Sequence, residues 1–61
     1  MRPEEKELIG KKIIVVFKNG KEIDGELYFC DGEHVGIIVY GNRKIRALIR
    51  RSLIDEVREV R

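Results

Sequence analysis

The stretch Ile13 to Phe29, IIVVFKNGKEIDGELYF, constrains this chain more than any other, because two strand-forming runs meet at Asn19-Gly20. That dipeptide tolerates the positive φ values of a tight type I′ turn, so the stretch reads as a β-hairpin. On the second arm Ile23, Gly25, Leu27 and Phe29 fall on one face and Glu22, Asp24, Glu26 and Tyr28 on the other, which is the period of a half-buried strand. Gly25 stands among the inward positions, where a missing side chain marks a bend or bulge that lets a sheet curl on itself. The expectation is a small barrel.

The remaining segments extend the same pattern. Pro3 to Ile9 predicts a short N-terminal helix, with proline suited to a first helical turn, Glu4 and Glu5 placed where the helix dipole favours negative charge, and Gly10 as a left-handed cap. Lys11 to Lys18 is the first strand. Its core, Ile13 to Phe17, is apolar without alternation, which predicts that both faces are covered, one of them by the helix. The second strand runs from about Lys21 to Cys30 and breaks at Asp31-Gly32. His34 to Tyr40 is a third strand, and Gly41-Asn42 reverses the chain. In the fourth strand, Arg43 to Arg50, Ile45, Ala47 and Ile49 point one way and Lys44, Arg46 and Arg50 the other, with Leu48 an apolar residue on the polar side. Ser52 with Asp55 would suit a helix capping box, but one tight turn at Ser52 to Ile54 followed by a last strand to about Val60 is preferred, because it gives a closed barrel its final edge. The chain therefore reads as one mainly β domain over residues 1–61: a short N-terminal helix, then a five-stranded, strongly bent antiparallel sheet of the SH3-like small-barrel type.

A domain of 61 residues buries only about 60% of the surface its unfolded chain exposes, so it calls for a staple, a metal or partner subunits. The single cysteine, Cys30, excludes an internal disulfide and fits a reducing, cytoplasmic setting. No apolar run approaches the roughly 20 residues of a membrane span, so a membrane partner is not expected. The net charge of +2 conceals a basic block, since His34 to Ile54 holds five bases and no acid. Such a block suits a polyanionic partner, or keeps a sheet edge from aggregating.

Catalysis has little to work with, because the only histidine and the only cysteine lie four residues apart on a chain too small to enclose a reaction site. No enzyme activity and no cofactor are expected. Cys30, Asp31, Glu33 and His34 lie close in sequence, yet structural zinc sites draw ligand pairs from separate segments, so the cluster reads as a polar turn and no metal is expected. His34 follows that turn and opens a strand. An imidazole at such a rim beside arginines is suited to stack on an unpaired base.

The segment IGKKIIVVFKNGKEIDGELYFCDGEHVGIIV, with Gly10, Asn19-Gly20, Gly25 and Asp31 to Val39 in order, resembles the first motif of the Sm/LSm family. Ile49 to Val57, IRRSLIDEV, resembles the shorter second motif. The family comprises ring-forming RNA-binding proteins, among them archaeal Sm-like proteins and, more distantly, the bacterial riboregulator Hfq. The resemblance implies an N-terminal helix on a bent five-stranded sheet whose open edges pair between copies to close a homo-oligomeric ring. It also implies that single-stranded, uridine-rich RNA binds at the inner rim, each base held between a stacking residue and an arginine while an asparagine reads its edge. His34 matches the stacking position and Arg50 the arginine. Gly36 falls where the family has asparagine, and Arg51 where it has glycine. Without an asparagine amide, base selectivity is expected to be weak. The expected RNA-binding set is His34, Gly36, Arg50 and Arg51, with Lys44 and Arg46 on the basic strand. The competing expectation is an SH3-like protein-interaction or assembly module with no RNA role.

Overall fold

The computed structural model describes residues 3–60, and Met1, Arg2 and Arg61 of the expected domain lie outside it. Its core is one antiparallel sheet of five strands: β1 (Lys12–Phe17), β2 (Glu22–Cys30), β3 (His34–Tyr40), β4 (Lys44–Arg50) and β5 (Ile54–Glu59). A 3-10 turn, Arg51–Leu53, separates the last two. The spatial order is β4-β3-β2-β1-β5, so β4 and β5 are the edges and do not pair with each other. The expected closed barrel is therefore not formed within one chain, because β5 pairs with β1 and not with β4. No helix among the described residues is long and apolar enough to cross a membrane.

The expected helix over Pro3–Ile9 is not formed either. A single helical turn, Pro3–Lys6, is followed by tighter bonds in which the amides of Leu8 and Ile9 donate to the carbonyls of Glu5 and Lys6. A segment this short gains too few hydrogen bonds to offset the cost of nucleating a helix. Gly10 does take the left-handed conformation, at φ +88°, and its amide donates to the Leu27 carbonyl at 2.8 Å, which fastens the segment to β2. Without a packed helix, only one face of β1 is closed off: Ile13 and Val15 are fully buried, while Ile14 and Val16 are half-buried.

The hairpin forms, but with a different turn. Asn19 keeps negative φ and Gly20 alone is left-handed, at +89°. The Gly20 amide donates to the Phe17 carbonyl at 2.9 Å, and the Phe17 amide to the Lys21 carbonyl at 2.8 Å. This is a three-residue loop closed by a glycine bulge in place of the two-residue type I′ turn. The Asn19 side-chain oxygen accepts from the Lys21 amide at 2.9 Å, which removes the need for the asparagine to adopt positive φ.

β2 pairs with β1 through Glu22–Glu26 and with β3 through Glu26–Cys30. Gly25 sits near this handover. A Cβ there would lie 2.5 Å from the Ile38 carbonyl oxygen, so the backbones approach more closely than any other residue permits. One step further, Leu27 pairs with Ile37 and Phe29 with Gly36, leaving Tyr28 as an extra residue. This bulge inverts the alternation beyond it. Phe29, expected in the core, stands 40% exposed, and Cys30 packs against the core in its place. The core itself is Ile13, Val15, Leu27, Val35, Ile37 and Ile49, gathered from β1 to β4. Along β4, Ile49 is buried, Ala47 half-buried and Ile45 56% exposed, as expected of an edge strand whose far end lacks a covering layer.

Candidate nucleic-acid interface

The turn between β2 and β3 is built on one carboxylate. Asp31 Oδ1 accepts from the amides of Glu33 at 2.8 Å and His34 at 2.6 Å, and the Asp31 amide donates to the His34 carbonyl at 3.0 Å. This Asx-type turn fixes where β3 begins and hence where His34 stands. The Glu33 and His34 amides, helped by the charges of His34 and Arg51, hold the Asp31 carboxyl below its ordinary value of 3.8 despite an opposing contribution from desolvation. The His34 imidazole lies 3.9 Å from the same oxygen, too far for a hydrogen bond.

A carboxyl whose pKa is depressed on folding contributes stability above its unfolded value and loses it as pH falls through the folded one. The thermal midpoint of the protein is therefore expected to drop as pH is lowered below 3.8. In Asp31→Ala that acid-dependent portion disappears and the midpoint at neutral pH is lower. A variant whose acid profile overlays the parent's would show that the turn does not depend on this carboxylate.

Across the sheet, His34 pairs directly with Arg50. Facing residues of antiparallel strands share a side of the sheet, so the imidazole and the guanidinium stand on the same face. His34 is half-buried and Arg50 exposed. Together with Gly32, Glu33, Arg51 and Ser52 they line a groove of about 500 Å³.

Arg51 enters this groove with its guanidinium already engaged. Its Nε donates to the Asp31 carbonyl at 2.5 Å and its Nη2 to Glu5 Oε2 at 2.6 Å, while its amide donates to the Glu33 carbonyl at 2.8 Å. The Glu5 and Arg51 side chains are only 16% and 21% exposed. Arg51 thus ties the N-terminal turn, the β2–β3 turn and the 3-10 turn together. The sequence marks Glu5 only as a carboxylate at a helix start, and no local signal points to a partner 46 residues away.

The other expected residues lie elsewhere. Gly36 is two positions along β3 and does not line the groove; a Cβ there would come within 2.8 Å of the Tyr28 ring and 3.1 Å of Phe29 Cβ. The bulged Tyr28 occupies the space that an asparagine side chain at position 36 would need. Arg46 lies over that same ring, 5.8 Å from its centroid, a cation–π arrangement. Lys44 pairs with Tyr40 at the far end of β4, roughly 20 Å from Arg50 at about 3.4 Å per residue. The structure therefore brings His34, Arg50 and Arg51 together and separates them from Gly36, Arg46 and Lys44.

The two edges differ in charge. β4 contains Lys44, Arg46 and Arg50 and no acid, whereas β5 contains Asp55, Glu56 and Glu59 against Arg58 alone. Comparison with family models, with curated proteins and with solved structures finds no match to this chain.

Proposed function

We propose that this chain is a non-enzymatic, Sm-like subunit of the cytoplasm. In this reading copies pair β4 of one with β5 of the next, which completes the small SH3-like barrel architecture as a homo-oligomeric ring. The ring binds single-stranded RNA with weak base selectivity. The observation that carries the RNA part is the cross-strand pair His34 and Arg50 beside a turn locked by Asp31. A flat imidazole and a flat guanidinium flank a groove open to solvent, an arrangement suited to hold an unpaired base by stacking while the arginine also attracts phosphate. Arg51 acts through Glu5 and Asp31 to keep the groove floor in place. The assembly part draws on the two unpaired sheet edges and their opposite charge, which favours pairing of β4 with β5 over pairing of like edges. Weak selectivity follows because Gly36 has no side chain to reach the groove and none of the residues lining it carries a side-chain amide to read a base edge.

The test is titration with oligouridine and oligoadenine at several salt concentrations. Both are expected to bind with similar affinity, and log K should fall linearly with log salt at about 0.7 per phosphate contacted. Absence of binding to either at about 50 mM salt would remove the RNA reading. A second reading, a protein-interaction module with no RNA role, would then stand on Phe29 and Leu48, which are exposed on the face flanking Gly36.

A further inference from the structure

We infer that the RNA path proposed above continues past Ser52 into a second, apolar subsite between the β1–β2 hairpin and the 3-10 turn. This extension rests on the RNA reading and adds to each subunit a nucleotide position that His34 and Arg50 do not supply. Ser52 lines both the His34–Arg50 groove and a neighbouring cleft of about 610 Å³. The floor of that cleft is apolar: Phe17 and Ile23 are half-buried, and Leu53 is 55% exposed. Its rim carries Lys18 and Lys21, both exposed and neither in an ion pair among the described residues. The one acid on the rim, Glu22, faces Arg58, whose Nη2 lies 3.4 Å from its carboxylate.

The cleft is held open by backbone. The Lys18 amide donates to the Leu53 carbonyl at 2.9 Å, which joins the hairpin to the 3-10 turn, and the Asn19 side chain fixes the hairpin tip. An exposed leucine at the base of two unpaired ammonium groups matches a ligand that joins an apolar surface to an anion. A nucleotide is such a ligand, because its base presents a flat π-face and its phosphate a charge. Continuity through Ser52 favours a nucleotide over an acidic peptide. Arg50 and Leu53 are three residues apart along a 3-10 turn, a rise of about 6 Å, so consecutive nucleotides of one strand can occupy the two positions. Both lysines are compact point charges suited to phosphate, which keeps the subsite tolerant of sequence.

Fluorescence titration with labelled oligouridine tests this in the full chain, comparing the parent protein with Leu53→Ala, with Lys18→Gln/Lys21→Gln and with Arg50→Ala. Leu53→Ala is expected to weaken binding at least about fivefold. The double lysine variant should lower the salt slope by about 1.4, the share of two phosphate contacts on a single strand. On the parent protein, photo-crosslinking with thiouridine-substituted RNA should label peptides containing Phe17 to Ile23 or Leu53. That readout does not depend on whether a variant folds. If the parent binds and Arg50→Ala weakens it, yet crosslinks avoid these peptides and the other two variants bind as the parent does, the extension is overturned while the RNA reading stands. If the parent does not bind at all, both fall.

Discussion

Gly25→Ala is expected to lower the thermal midpoint by roughly 10–20 °C, the effect of about 2–3 kcal/mol on a domain of this size. The added methyl would lie 2.5 Å from the Ile38 carbonyl oxygen and 3.1 Å from its carbon, both of them backbone atoms. A side chain in that position could rotate away, but a strand in the middle of the sheet can move only by breaking ladder bonds on both sides. The cost therefore belongs near the upper end of what overpacking produces. Gly32→Ala serves as the control, since a Cβ there meets nothing within 4 Å and its φ is not in the left-handed region. Its midpoint should stay close to the parent's. A Gly25→Ala protein that melts with Gly32→Ala would mean that the handover of β2 from β1 to β3 is not the tight crossing described above.

The second large effect concerns the groove. Arg50→Ala is expected to weaken binding of single-stranded RNA by about 1–3 kcal/mol, a loss of about 5- to 150-fold, with little change in stability. Arg50 is exposed and makes no ion pair or side-chain hydrogen bond among the described residues, so its removal leaves no buried group unsatisfied. Arg51→Ala should behave in the opposite way. It deprives Glu5 and the Asp31 carbonyl of their donor in a mostly buried setting, which costs about 1–3 kcal/mol of stability. Parallel measurement of melting and RNA affinity in the two variants separates the roles. Equal RNA affinity in Arg50→Ala and the parent would take Arg50 out of the site.

Much of this molecule is legible from local sequence, and the exceptions share a cause. The arms of the hairpin, the turn at Asp31-Gly32 and the strand His34 to Tyr40 follow from residue pattern alone. Asn19-Gly20 marks the right place for the hairpin but not its geometry, because the dipeptide suits both a type I′ turn and a loop closed by glycine. Whether Asn19 turns left-handed depends on the Lys21 amide that its side chain holds. The bulge at Tyr28 is invisible in the alternation, which reads smoothly through Phe29, so Phe29 is assigned to the wrong face. The N-terminal segment has correct start and stop signals around too few residues to nucleate a helix.

For the site, His34 and Arg50 are legible because turn chemistry places one and strand period the other. Strand period likewise sets Lys44 and Arg46 on the same face as Arg50, but it carries no information on distance along the strand. The tie between Arg51 and Glu5 and the meeting of Leu53 with the β1–β2 hairpin are tertiary, joining segments whose sequences give no hint of each other.

The open sheet bears on all of these readings. Among the described residues an isolated chain leaves the outer edges of β4 and β5 unpaired, one strand basic and the other predominantly acidic. Light scattering on a sizing column, at micromolar concentration and moderate salt, measures the consequence directly. Self-assembly through these edges predicts a particle whose mass is a whole multiple, greater than one, of 7.1 kDa. A single species at the mass of one chain, unchanged as concentration is raised, would contradict it.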